Sequence, residues 1–284
     1  MTTPTTTAVR TGVQRGLIEL RQSFTTVQDL WGYFFPTVVF LVVMTLMKGS
    51  VIPGTTFSRG SMTLPSLIGA SVGFNAMMST MQQLTVERED GTLLRAKALP
   101  NGMSGYLIGK IVMVSGMTLV GIALLIVPGL LMFDGLEIDA MTWVTLAWVL
   151  VLGLVATLPI GAVFGSLFEN PRTMGVIMLP VMALVGTSGI FYPIGELPSW
   201  IQGIAQVFPL YWLGLGMRSA FLPDSMVAVE IGQSWRTWET FGVLGAWAVA
   251  GLVLAPIVLR RMARRESGST VAARREEALQ RMPG

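Results

Sequence analysis

Cysteine and histidine are absent from the 284 residues, and only 12% of them are charged. Without cysteine there is no thiol nucleophile, disulfide or thiolate metal site, and without histidine the commonest zinc and haem ligand is missing too. The redox state of the compartment is therefore not written in the chain. The shortage of charge excludes ordinary soluble architecture, in which about 25% of residues are charged and are spread along every element. Here the charges are confined to short islands between long uncharged runs, which marks the islands as aqueous loops.

What fills the chain instead is apolar: 52% of residues are hydrophobic, and the mean hydropathy is +0.65. The net charge of +3 and pI near 9.6 do not indicate nucleic acid, because the basic residues flank hydrophobic segments as the positive-inside rule requires. In the first thirty residues Arg10, Arg15, Glu19, Arg21 and Asp29 interrupt every apolar run. No cleavable signal peptide is expected there, and the amino terminus is expected to stay attached and cytoplasmic.

A helix needs about 20 apolar residues to cross a bilayer. Six stretches meet this need and predict spans at 30–47, 62–85, 111–133, 141–168, 174–192 and 240–259. A seventh uncharged stretch, 197–217, is long enough but carries Pro198, Gln202, Gln206 and Pro209. Both ends of the chain are arginine-rich and prefer the cytoplasm, so the number of crossings must be even. Six spans leave only Lys48, Arg59, Arg218 and Arg236 on the outer side. The segment 193–218 is therefore expected to be a re-entrant hairpin of short helices, with Trp200, Tyr211 and Trp212 in an aromatic belt.

Ahead of the first span, Val13, Leu17, Leu20, Phe24 and Val27 recur at helical spacing while Arg15, Glu19, Gln22 and Gln28 fall elsewhere. This predicts an amphipathic helix within residues 1–29 lying on the inner membrane surface. Residues 260–284 read as a charged cytoplasmic tail.

The six predicted cores hold no ionisable residue, the usual mark of a proton-coupled carrier. A sodium-coupled carrier using backbone carbonyls at proline-broken helices is the alternative reading. An enzyme is disfavoured because the charged residues lie on separate loops with no catalytic spacing. A phosphate-binding loop is missing, since Ser104 and Ile111 stand where G-x-x-x-x-G-K-[S/T] needs glycine and a hydroxyl residue. Any ATP must be hydrolysed by another chain.

The most informative island is the cytoplasmic loop 86–110. Glu87, Arg88, Glu89 and Asp90 are expected to begin a short helix across it, and Pro100-Asn101-Gly102 to make a turn before the next span. Such a helix can dock into a groove on a soluble partner, although on the residues alone an ordinary solvated loop is the commoner outcome.

The run Glu87-Arg88-Glu89-x-Gly91-Thr92-Leu93-Leu94, followed by Leu99-Pro100 and Leu107-Ile108-Gly109-Lys110, resembles the cytoplasmic loop of type-2 ABC exporter permeases, such as the daunorubicin-resistance permeases. A second match runs from Ser188 through Phe191-Tyr192-Pro193, Glu196-Leu197-Pro198 and Trp200 to Phe208-Pro209 and Met217-Arg218. It resembles that family's outward hairpin before the last span. Two segments depart from the pattern: Trp212-Leu213-Gly214-Leu215-Gly216 is richer in glycine, and Asn101-Gly102 is an unusual turn.

The resemblance implies an all-α membrane protein with no catalytic, metal or cofactor site of its own. Its coupling loop would seat Glu87, Arg88, Glu89, Gly91, Thr92, Leu93 and Arg95 in an ATPase subunit. ATP and Mg would be held by two copies of that subunit, and a second permease, the same chain or a related one, would complete the path. Phe191, Tyr192, Pro193, Glu196, Leu197, Pro198, Trp200, Pro209 and Arg218 would form the outer gate.

Asn75, Met78 and Met81 place an amide and flexible thioethers on the second span, suited to a path for varied apolar cargo, although core packing is the commoner role. Gly69 with Gly73, and Gly161 with Gly165, are small-residue pairs able to bring helices close, as at a dimer interface.

Overall fold

The computed structural model of the chain describes residues 4–25, 27–52, 58–99, 102–133, 136–167 and 171–265. Among the described residues ten α-helices follow one another: α1 (Pro4–Gln22), α2 (Val27–Met47), α3 (Arg59–Glu89), α4 (Thr92–Ala98), α5 (Gly102–Met132), α6 (Ala140–Leu167), α7 (Pro171–Thr187), α8 (Ser199–Val207), α9 (Pro209–Phe221) and α10 (Thr237–Arg265). Short 3-10 turns precede α8 and fill the stretch between α9 and α10. The described residues contain no named strand.

Local chemistry fixes several ends. Ser58 caps α3 by accepting from the Ser61 amide at 3.1 Å. Asp139 and Thr142 cap α6 reciprocally, with amide to side-chain bonds of 2.7 and 3.1 Å. Lys48 donates to the Met132 carbonyl at 2.6 Å, satisfying an orphan group at the end of α5. Prolines inside α3, α5, α6, α7 and α10 at 65, 128, 159, 180 and 256 are tolerated as they are in lipid, where neighbouring helices re-satisfy the freed backbone.

α5, α6 and the first 23 residues of α10 are each long and apolar enough to cross a membrane, and Thr37–Met47 and Met178–Thr187 are shorter apolar helices. α3 and α5 have 31 residues each, about 46 Å at 1.5 Å per residue, against a hydrocarbon core of about 30 Å. α3 holds the centre, packed on α2, α5, α6, α9 and α4, while α10 lies against α6 and α1 against α5. Because α3 is shielded on nearly all sides, it carries serine, threonine, asparagine and glutamine that a lipid-facing helix would not. The peripheral helices do the reverse: Val38, Val42 and Leu46 on α2, Leu131 on α5, Val151 on α6, and Trp238, Phe241, Val249 and Leu252 on α10 all point outward. Such a surface suits hydrocarbon rather than water.

The observed helices shift the expected spans: α3 and α5 extend well past 62–85 and 111–133 toward the loop between them, and α10 carries the Arg260–Arg265 segment as helix. The amphipathic helix ends at Gln22, so Val27 belongs to α2. Its close face also differs. A Cβ on Gly12 would stand 2.6 Å from the Gly105 carbonyl oxygen and one on Gly16 2.5 Å from that of Gly109, so α1 and α5 cross nearly in backbone contact and run in the same direction. Leu17 and Phe24 of the expected apolar stripe are exposed, away from this contact.

Gly69 and Gly161 are likewise spent inside the chain rather than between copies. A Cβ on Gly69 would meet the Leu213 carbonyl oxygen at 2.3 Å, and one on Gly161 the Met77 carbonyl oxygen at 2.2 Å. Leu213 of α9 fills a notch cut by Gly69, Gly73 and Gly153 on α3 and α6.

Candidate functional site

Two regions carry the polar chemistry, one at each end of α3. At the first, α3 turns into α5 through Gly91 and α4. Gly91 adopts φ +76°, a left-handed conformation that a side chain would strain. Just before it, the Asp90 carboxylate accepts from the Thr92 amide at 2.7 Å, at the start of α4. The helix in this loop therefore starts at Thr92, and Glu87, Arg88 and Glu89 are the last turn of α3 rather than the beginning of a loop helix. Pro100 and Asn101, and the Glu89 side chain, lie outside the described residues.

Glu87 points inward into a cluster drawn from three helices. Its Oε1 lies 2.6 Å from Lys110 Nζ and 3.8 Å from Arg15 Nη2, and its Oε2 accepts from the Tyr106 hydroxyl at 2.5 Å. Glu19 joins from α1, 2.8 Å from Lys110 Nζ and 2.7 Å from Arg15 Nε. The Arg15 guanidinium also lies over the Tyr106 ring, 5.3 Å from its centre. Two carboxylates meet two cations, so the group is neutral and α1, α3 and α5 are clamped together. Burial pushes the Glu19 carboxyl up, but the hydrogen bonds from Lys110 and Arg15 outweigh it and hold its pKa below the usual carboxylate value.

Arg88 is buried and donates to the Gly165 and Ser166 carbonyls at 3.4 and 3.3 Å, at the end of α6. A cation there meets both the orphan carbonyls and the negative end of the helix dipole. Leu93 is buried with Leu84, Tyr106, Leu259 and Met262, which ties α4 to α3, α5 and α10. Of the residues expected to meet an ATPase, Arg95 is the one with an exposed side chain, held by Thr92 Oγ1 at 2.9 Å. Leu99 beside it is 64% exposed.

At the other end, two short helices do occupy the stretch after α7. Trp200 on α8 is exposed, but Tyr211 and Trp212 are buried against α3 and α6, which corrects their expected place in an aromatic belt. Trp212 donates to the Gln206 carbonyl at 2.7 Å and carries the Arg236 guanidinium 4.7 Å from its ring centre. The Tyr192 hydroxyl donates to the Gly186 carbonyl. Glu196 meets Arg59 at 3.4 Å near the start of α3. Phe191 and Leu197 pack half-buried against the main core, and Pro193, Pro198 and Pro209 stand at the starts of the three short helical elements.

Arg218 is fully buried and binds Glu230 with two bonds, 2.6 and 3.1 Å, while its remaining nitrogen reaches Ser66 Oγ at 3.0 Å and the Gly189 carbonyl at 3.3 Å. It thereby joins α9, α3, the turn after α7 and the segment before α10. Glu230 was not legible as a site residue; the available signal was an acid set among valine, alanine and isoleucine.

The three residues of the expected cargo path separate. Met78 and Met81 pack with Met77, Val181 and Phe164 between α3, α6 and α7, whereas Asn75 faces Gly121 of α5. No group of three or more metal-ligating residues occurs among the described residues.

No curated protein matches the chain. A family model described as "ABC-2 family transporter protein" matches residues 55–257, which takes in the α3–α5 corner, the short helices after α7 and most of α10. That match takes in the second polar region, the α3, α4 and α5 residues of the first and the helical frame between them, and the chain belongs to the ABC-2 family, as a membrane permease rather than an ATPase.

Proposed function

We propose that the chain is the membrane half of an ATP-driven exporter of hydrophobic or amphiphilic compounds, drugs or lipids. In this reading it crosses the cell membrane six times with both termini cytoplasmic. Two copies of a separate ATPase bind ATP and Mg, and a second permease, identical or related, completes the path. The α3–α5 corner faces the cytoplasm and α8 and α9 face outward.

The observation that carries the reading is the exposed edge of α4. Arg95 and Leu99 are presented to a partner while Leu93 anchors the same helix to α3, α5 and α10. A push on α4 is then delivered to three long helices at once. Glu87 and Arg88 take part by transmitting the movement through α1 and α6, not by touching the ATPase. An ion-coupled carrier acting alone has no use for such an element, and the family match weighs against it.

The test is affinity purification of the tagged chain with its ATPase in lipid vesicles. Arg95→Glu should abolish permease-stimulated ATP hydrolysis while leaving thermal stability unchanged. Transport by the purified chain alone under an ion gradient would overturn the reading. Movement of glycans without hydrophobic dyes would overturn the cargo class.

A further inference from the structure

α3 and α5 run antiparallel, with Glu87 beside Lys110, Gln83 beside Met113 and Asn75 beside Gly121. Asn75, Ser79, Gln83 and Glu87 are four residues apart and share one face of α3, a polar stripe of about 18 Å at 1.5 Å per residue. The facing stripe on α5 is Met113, Met117 and Gly121, which offers sulfur, sulfur and no side chain.

The mismatch is sharpest at Gln83. Its Nε2 donates to Met113 Sδ at 3.0 Å, a weak acceptor, and its Oε1 is buried with no donor among the described residues. Turning the amide over exchanges the stranded end without satisfying both. A buried polar atom left so is costly, and an apolar side chain of the same shape would be more stable. Two turns toward the middle of α3 the seam leaves room for a side chain: the nearest atom to a Cβ built on Gly121 is Asn75 Nδ2, at 4.0 Å. The Glu87 charge is consumed by Lys110, Arg15 and Tyr106, so the groove above it is neutral.

We propose that this α3–α5 seam is a binding site for an uncharged head of an amphiphile that carries two hydrogen-bond donors, such as a diol, one received by Gln83 Oε1 and the other by Asn75. The proposal rests on the reading above that the cargo is amphiphilic. The stranded oxygen selects for O–H or N–H and against carboxylates. Met113 and Met117 give way to admit the adjoining chain because thioethers repack at low cost. Met78 and Met81 pack toward α6 and α7 and are outside the site.

The test uses the purified permease without ATPase, in phosphatidylcholine nanodiscs, with monoolein and methyl oleate as probes. The two share an acyl chain, but only monoolein has hydroxyl donors. Monoolein should raise the midpoint of thermal unfolding by about 2 °C or more, and methyl oleate should not. Gln83→Met should unfold at a higher temperature than wild type and lose the monoolein response. Asn75→Ala, half-buried opposite a glycine, should keep the basal midpoint and weaken the response at least threefold in monoolein concentration. Equal shifts by the two probes, no shift by either, or an unchanged response in Gln83→Met and Asn75→Ala would overturn the proposal. Loss of ATPase coupling would leave these results untouched, so this site and the exporter reading fail separately.

Discussion

Glu87 and Lys110 form an ion pair of 2.6 Å across the α3–α5 boundary, with 12% of each side chain exposed. The same ammonium holds Glu19 at 2.8 Å, so α1 is fastened to the corner through one cation. Lys110→Met removes the cation that two carboxylates share, leaving them Arg15 and Tyr106, and should cost about 1–3 kcal/mol, the lower range being set by partial exposure. Denaturation in detergent should show Lys110→Met with Glu87→Gln costing less than the sum of the single changes. Strict additivity would mean that the pair contributes nothing.

Glu19 supplies a pH dependence whose sign follows from its lowered pKa. Its charged form is favoured in the folded protein by Lys110 and Arg15, so its contribution is complete above the ordinary carboxylate value near 4.3. It is lost as pH falls through the lowered folded value. Wild type should unfold at a higher temperature than Glu19→Gln at pH 7, and the gap should shrink below about pH 4. A gap that widens on acidification would contradict the arrangement.

Gly69 separates packing between helices from packing between copies. A Cβ there would overlap the Leu213 carbonyl oxygen at 2.3 Å, and neither backbone can withdraw without opening the core around α9. Gly69→Ala should cost about 1–3 kcal/mol, read as a fall in the unfolding midpoint of several degrees. Gly49→Ala, with nothing within 4 Å, should lie within about 0.5 kcal/mol of wild type. Cross-linking between copies should not change in Gly69→Ala if the contact lies wholly within one chain.

The helices that could be read from the sequence are those in which charge marks both ends. The 141–168 run became α6, Ala140–Leu167, because Asp139 caps it and no charge interrupts it. The corner was harder. Acidic residues at 87 to 90 ordinarily favour a helix start, yet Glu87 is tolerated near the end of α3 because Lys110 and Arg15, distant in sequence, neutralise it. Gly91 was the better marker, since its positive φ is what ends α3. Tyr211 and Trp212 looked like belt residues because composition does not reveal that glycines at 69, 73 and 153 let α9 sink into the core. Glu230 was unreadable for the same reason: a buried acid is explained only by the cation that folding brings to it.

Arg218 and Glu230 form a buried, two-bonded ion pair in the segment after α7, and its value is best measured by unmaking it in two ways. Arg218→Met removes the guanidinium and leaves Glu230 buried without a cation, at a cost of about 3–5 kcal/mol. Ser66 and the Gly189 carbonyl lose a partner in the same change. Arg218→Met with Glu230→Met removes both charges, and apolar side chains of similar volume should recover most of the loss, because neither ion then needs desolvation. Arg218→Lys keeps the charge but not the fork that spans both carboxylate oxygens, and should fall between the two. Thermal or denaturant unfolding orders the three variants. If the double replacement is no better than Arg218→Met alone, the pair is not the reason for the arginine, and its bonds to Ser66 and Gly189 carry the weight instead.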